Sequence, residues 1–130
     1  MRYARGYVTL VSVLILGAVG VAIAVALLTL GLGASRTAFV AEQSASARAL
    51  ADSCVEEALE QIEQSNTYTG TASLTLGQGS CTYTVTSQGN QDRTLTASGT
   101  VGTVVRKVKV VISKITPSFT FSTWQEVADF

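Results

Sequence analysis

From Tyr7 to Leu32 the chain carries no charged residue, and nearly every side chain is apolar or small. A helix over this stretch spans about 39 Å at 1.5 Å per residue. A bilayer hydrocarbon core is about 30 Å thick. The segment is therefore long enough to cross a membrane with some tilt. It is also longer than the apolar core of a secretory signal peptide, which runs to roughly 7–15 residues. "GLGASR" after it still offers a small-residue cleavage site, so a signal peptide stands as the competing reading. Arg2 and Arg5 precede the segment, and the positive-inside rule keeps them cytoplasmic. The chain from Gly33 onward is then expected outside.

The rest of the composition is consistent with that placement. There are two cysteines, Cys54 and Cys81, and an even pair in an exported domain most often forms a disulfide. The formal net charge is zero, and loss of residues 1–6 would leave seven basic residues against nine acidic. That balance gives no general attraction to nucleic acid.

Beyond Gly31 and Gly33 the helical character continues. "ASRTAFVAEQSASARALADSCVEEALEQIEQ" is rich in good helix formers. Ala47, Leu50, Ala51, Cys54, Val55, Ala58, Leu59 and Ile62 recur at three- and four-residue steps, which is one apolar face. Arg48, Asp52, Glu56, Glu60 and Glu63 take the opposite side. The first half of the chain reads as one long helix, apolar all round at first and then apolar on one face.

At "SNTYTG" threonine, serine, valine and glycine take over. Four short runs follow: "TASLTLG", "SCTYTVT", "RTLTASGT" and "VVRKVKVVISKI", with "GNQD" as a turn between the second and third. Cys81, Tyr83 and Val85 alternate with Thr82, Thr84 and Thr86; Val108, Val110 and Ile112 alternate with Lys107, Lys109 and Ser113. Period-two patterns with short polar turns predict antiparallel hairpins. One face of such a sheet needs cover, and the helix around 47–62 supplies it. The fold class is α+β, a long N-terminal helix packed on a small antiparallel sheet over about 71–115, with a tail at 116–130.

Cys54 and Cys81 both fall on the covered faces. A bond between them closes a loop of about 28 residues and is worth about 3.5 kcal/mol in the chain-entropy view; two buried free thiols are the alternative. Pro117 ends the last strand because it cannot donate to a ladder. In the tail, Phe119, Phe121, Trp124, Val127 and Phe130 are too apolar for a free end. They read as a flap finishing the core, with a contact surface for another copy as the second reading.

Catalytic constellations are missing from the sequence. There is no histidine, hence no imidazole base and no histidine-ligated metal. Glu56, Glu57, Glu60 and Glu63 read as a solvated helix face. Arg106, Lys107, Lys109 and Lys114 form a basic run, but strand residues alternate in direction. A solvated strand edge that resists unwanted pairing is the simpler reading than a nucleic-acid site. The chain is expected to be a non-enzyme that uses no cofactor and no metal.

A short basic leader, a Gly-aromatic step, an apolar helix running into an amphipathic one and then an antiparallel sheet together resemble the type IV pilins and pilin-like (pseudopilin) proteins. The resemblance is carried by "RGYVTLVSVLILGAVG" over residues 5–62, and by architecture alone for 63–130. It implies a leader of residues 1–6, cleavage by a prepilin peptidase between Gly6 and Tyr7, and N-methylation of Tyr7. It further implies a segment 7–32 that waits in the cytoplasmic membrane and then becomes the filament core. Residues 33–130 would form an extracellular head with its helix at 34–64. The implied partners are other copies of the chain and the pilus assembly platform. Small residues such as Gly17, Ala18, Gly20, Ala22, Ala24 and Ala26 permit close helix approach. Gly17 and Gly20 are candidates for local unwinding on assembly, each costing about 1 kcal/mol of helix stability relative to alanine.

One position departs from the family's pattern. Pilins usually place a glutamate five residues into the mature chain; here that position is Val11, and no acid precedes Glu42. The departure favours a minor or initiating subunit, or a lineage that assembles without the ion pair. Thr9 and Ser12 are the polar groups nearby that would bond a neighbour instead. The function implied is a structural subunit of an extracellular filament for adhesion, motility or DNA uptake. Three other readings stand beside it: a pseudopilin of a type II-like secretion system, an uncleaved single-pass membrane protein with a small binding domain, and a DNA-binding minor subunit using the basic run.

Overall fold

A computed structural model describes residues 3–130. Its elements are one helix, α1 (Tyr3–Gln64), followed by β1 (Gly70–Leu76), β2 (Gly79–Gly89), β3 (Asp92–Val101), β4 (Val104–Lys114) and β5 (Thr120–Val127). The chain divides into two compact units, Met1–Phe39 and Val40–Phe130. Among the described residues the first is helix alone. The second holds the rest of α1 and a sheet in which each strand pairs antiparallel with the next, in the order β1-β2-β3-β4-β5. The fold is α+β, as the sequence predicts.

Within the second unit the amphipathic stripe does what its spacing predicts. Ala47, Ala51, Cys54, Val55, Ala58 and Ile62 are fully buried, and Leu50 and Leu59 pack at the margin. Arg48, Glu56, Glu60 and Glu63 stay exposed. Opposite the stripe lie Cys81, Tyr83 and Val85 of β2, Leu95 and Ala97 of β3, and Val108, Val110 and Ile112 of β4. The other face of the sheet is hydroxylated. Thr71 pairs with Thr84 and Ser73 with Thr82, each through a 2.9 Å hydroxyl–hydroxyl hydrogen bond across β1 and β2.

One glycine fixes how closely helix and sheet approach. A Cβ at Gly99 would run into the carbonyl oxygen of Ala47 and lie 2.6 Å from the amide nitrogen of Ala51. Both obstacles are helix backbone, which cannot rotate aside. The helix therefore rests directly on β3 at Gly99, and the alanines at 47 and 51 are the small residues that allow it. Nothing in the local pattern of "RTLTASGT" signals this requirement.

At the far end of the unit, Arg93 is buried. It donates to the backbone carbonyls of Asn66 (2.6 Å), Asp92 and Asn90 and to the Ser87 hydroxyl. It ties the chain just past α1 to the β2–β3 turn. In that turn Asn90 adopts φ 53°, a left-handed conformation asparagine tolerates better than most residues.

The C-terminal segment corrects the sequence reading. The stretch 116–130 is not a flap over the core. It contains β5, which adds a fifth strand beside β4, and Pro117 sits in the connection between the two. Phe119 reaches the core margin, but Phe121, Trp124 and Phe130 remain exposed. The alternation failed to reveal β5 for a physical reason. Val110 pairs with Trp124, Val111 with Thr123 and Ile112 with Phe121, so Ser122 is an extra residue bulged out of the ladder. The bulge puts Phe121 and Trp124 on one face although they are three residues apart.

Candidate functional site

The candidate site is the apolar half of α1; Arg2, ahead of it, lies outside the described residues. Among the described residues this is the one helix long and apolar enough to cross a membrane. From Gly6 to Leu32 every residue is exposed except Val11, which is half-exposed; Tyr7, Leu16 and Leu30 each present about three-quarters of their surface at 73%, 72% and 71%. The unit that contains them gives them no cover of its own, which is the arrangement of a helix built for an apolar surrounding.

The polar groups on this segment are handled within the helix. The Thr9 hydroxyl donates to the Gly6 carbonyl at 2.9 Å, and Ser12 donates to Val8 at 2.8 Å. Thr29 donates to Ala26 at 2.9 Å and Thr37 to Gly33 at 3.0 Å. Such back-bonding satisfies these four hydroxyl donors within the helix. Within the chain, both donors serve α1 itself.

Gly6 and Tyr7 lie inside α1, and the Gly6 carbonyl is held by Thr9. Gly17 and Gly20 also lie in unbroken helix, with open space where a side chain would project. In this state of the chain neither marks a break.

Cys54 and Cys81 are joined in a disulfide with Cα atoms 6.1 Å apart and a sequence separation of 27. Both are fully buried. The bond links the covering helix to β2. Cys81 is also the register partner of Gly99, so the staple and the point of closest helix approach lie side by side.

The basic run does not gather into one patch. Arg106 turns to the helix side, where its Nε donates to the Ser44 hydroxyl at 2.9 Å and its Nη1 meets Glu126 at 3.0 Å. Arg48 reaches the same carboxylate at 3.5 Å. Lys107 bonds Asp129 and lies 5.1 Å from the centre of the Phe130 ring. The Lys107 hydrogen bond, with a smaller part from the Phe130 amide, holds the Asp129 carboxyl below the usual carboxylate range. Lys109 shares the outer, threonine-bearing face with Lys107, and Lys114 ends β4. Elsewhere, burial and then the hydrogen bond to Tyr68 push the Tyr83 phenol above the ordinary tyrosine range, so it is a neutral core group rather than a nucleophile. Among the described residues no three histidine, cysteine, aspartate or glutamate side chains converge as metal ligands.

Comparison with protein-family models, with curated proteins and with solved structures finds no match to this chain.

Proposed function

We propose that the chain is a pilin-like structural subunit. It is held first in the cytoplasmic membrane by residues 7–32, with Arg2 and Arg5 inside. It is then cleaved between Gly6 and Tyr7, methylated at Tyr7, and polymerised through the same apolar segment into an extracellular filament. The observation that carries this reading is the double character of α1. One half is uncharged and exposed all round, and the other buries a single stripe against a disulfide-stapled sheet.

The physical reasoning is as follows. A helix apolar on every side is stable in lipid and in a bundle of like helices, but not in water. Keeping it out of water is worth roughly 25 cal/mol per Å² of apolar surface. Leaving the bilayer therefore requires an equally apolar destination, and other copies of the segment provide one. Gly6 suits a processing junction because glycine lowers the stability of its helical turn by about 1 kcal/mol relative to alanine. Hydrolysis there needs that turn opened and the Thr9–Gly6 hydrogen bond broken.

The test is to shear cells that make the protein and look for the chain in the released filaments. The native chain is expected in that fraction. Gly6→Leu is expected to leave it full-length and confined to the membrane. Retention of the native chain in the envelope in a short, unsheared assembly would favour the secretion pseudopilin. A full-length native chain absent from any polymer would leave the plain single-pass membrane protein.

A further inference from the structure

Asp52, Glu56, Glu60 and Glu63 line the side of α1 that faces away from the sheet. They recur at three- and four-residue steps; Asp52 is half-buried and the other three are exposed. The fold itself gives this row little support. Asp52 with Glu56, and Glu56 with Glu60, are like charges four residues apart on one helix face, a spacing that repels. Glu60 and Glu63 also lie at the C-terminus of α1, where the macrodipole favours cations, and the last turn holds no basic residue. Among the described residues the ion pairs lie elsewhere: Arg48 and Arg106 with Glu126, and Lys107 with Asp129. Within the row, Glu60 accepts from the neutral Gln64 amide at 3.4 Å. Negative charge is thus gathered where its own helix disfavours it, and what it lacks is a cation.

Arg36 is the matching charge. It is exposed, and it is the one charged residue between Arg5 and Glu42. Its helical neighbours three and four positions away, Leu32, Gly33, Phe39 and Val40, include no acid to hold it. We propose that the acidic face of α1 receives Arg36 of a second copy, and that this contact fixes how far one copy is shifted along the next. The proposal rests on the filament reading above and adds to it the contact that sets the register. Apolar segments set none by themselves. They carry no charge, and the hydroxyls of Thr9, Ser12 and Thr29 bond their own helix. Polar contacts at single positions are what fix register between packed helices. Arg36 follows the apolar segment closely, so bundled segments bring it alongside a neighbour's α1. The lysines of β4 do not come with them, since Lys109 alternates with the buried Val108 and Val110 and stands on the sheet face turned away from α1. Arg36 set between Asp52 and Glu63 of the next copy shifts the two by roughly four to eight helical turns. The two surfaces differ and each copy carries one of each, so the contact is heterologous. Contacts of that kind propagate as open helical filaments when the rotation does not close.

The experiment measures the chain in filaments sheared from cells that hold equal amounts of each variant in the membrane. Arg36→Glu is expected to lower filament yield about tenfold or more, because it sets like charges against each other in the interface. Glu56→Lys with Glu60→Lys lowers the yield for the same reason. The triple variant that joins all three replacements restores it. Native yield from Arg36→Glu, or a loss that the triple variant does not reverse, overturns the register contact and leaves the filament reading standing. If unmodified cells shed no filament containing the chain, the filament reading fails and the register contact with it. A second arm treats filaments of Arg36→Lys with a zero-length carbodiimide, which joins an amine to a carboxylate in direct contact, and maps the links by mass spectrometry. Support is a link from position 36 to Asp52, Glu56, Glu60 or Glu63. In one helix these positions are at least about four turns apart, so such a link joins two copies. The same acids linked to Lys109 or Lys114 instead, or no link from position 36, overturn the proposal. The replaced residues are all exposed, so the thermal transition of each variant in detergent stays at the native value.

Discussion

Gly99→Val is expected to lower the melting temperature of the head sharply. The added carbons would occupy space held by the backbone of Ala47 and Ala51. No rotamer change relieves that clash; the helix must lift from β3. Overpacking costs roughly 1–3 kcal/mol, occasionally more, and a clash with backbone belongs at the upper end. About 3 kcal/mol in a domain of this size lowers Tm by on the order of 15 °C. Lifting the helix would also part Ala51, Cys54 and Ala58 from the strands beneath. Circular dichroism melts of the native and variant chains in detergent measure the difference. A shift of only a degree or two would show that the helix does not sit on Gly99.

Removal of the disulfide ranks beside it. Cys54→Ala with Cys81→Ala is expected to destabilise the head by about 3.5 kcal/mol, through the loop the bond closes. Both sulfurs are fully buried, so a reductant reaches them only when the helix opens from the sheet. Reduction of the native protein by dithiothreitol should therefore be slow, and should accelerate by orders of magnitude in denaturant. Cys81 lies opposite Gly99 in the ladder, so the two effects are coupled. With the bond intact, the helix cannot back away from a side chain at 99. Without it, the helix has that freedom. Gly99→Val should thus cost about 1 kcal/mol less in the double-alanine background, within the range seen for contacting residues. Strict additivity would mean that the staple does not hold the helix at this point.

These two sites differ in how far the sequence disclosed them. The disulfide was legible because each cysteine falls on an apolar face whose period can be counted. The helix stripe from Ala47 to Ile62 was legible for the same reason, as were the alternating residues of β2 and β4. Gly99 was not, because its requirement comes from the backbone of a helix about fifty residues earlier and leaves no local pattern. β5 was hidden by the bulge at Ser122, which breaks the period on which strand recognition depends. Arg93 gave no signal because its partners are mostly backbone carbonyls, which every sequence contains.

The apolar half of α1 was the plainest feature of the sequence, and its uses are the least visible in an isolated chain. Within residues 7–32 the hydroxyls of Thr9, Ser12 and Thr29 bond their own helix. On the proposed reading, the surroundings of the segment are first lipid and then other copies. The basic run behaves in the opposite way. Read as a series it looked like one feature, yet alternation sends Arg106 to Ser44 and Glu126 and Lys107 to Asp129. Both charges have partners within the fold.

The most direct measurement is the mass of the amino-terminal peptide of the chain recovered from sheared filaments. A peptide that begins at N-methylated Tyr7 and retains the whole apolar segment is the expected finding. A chain that begins after Leu32, or one that still carries Met1 through Gly6, would contradict a helix that serves the membrane first and the polymer afterwards.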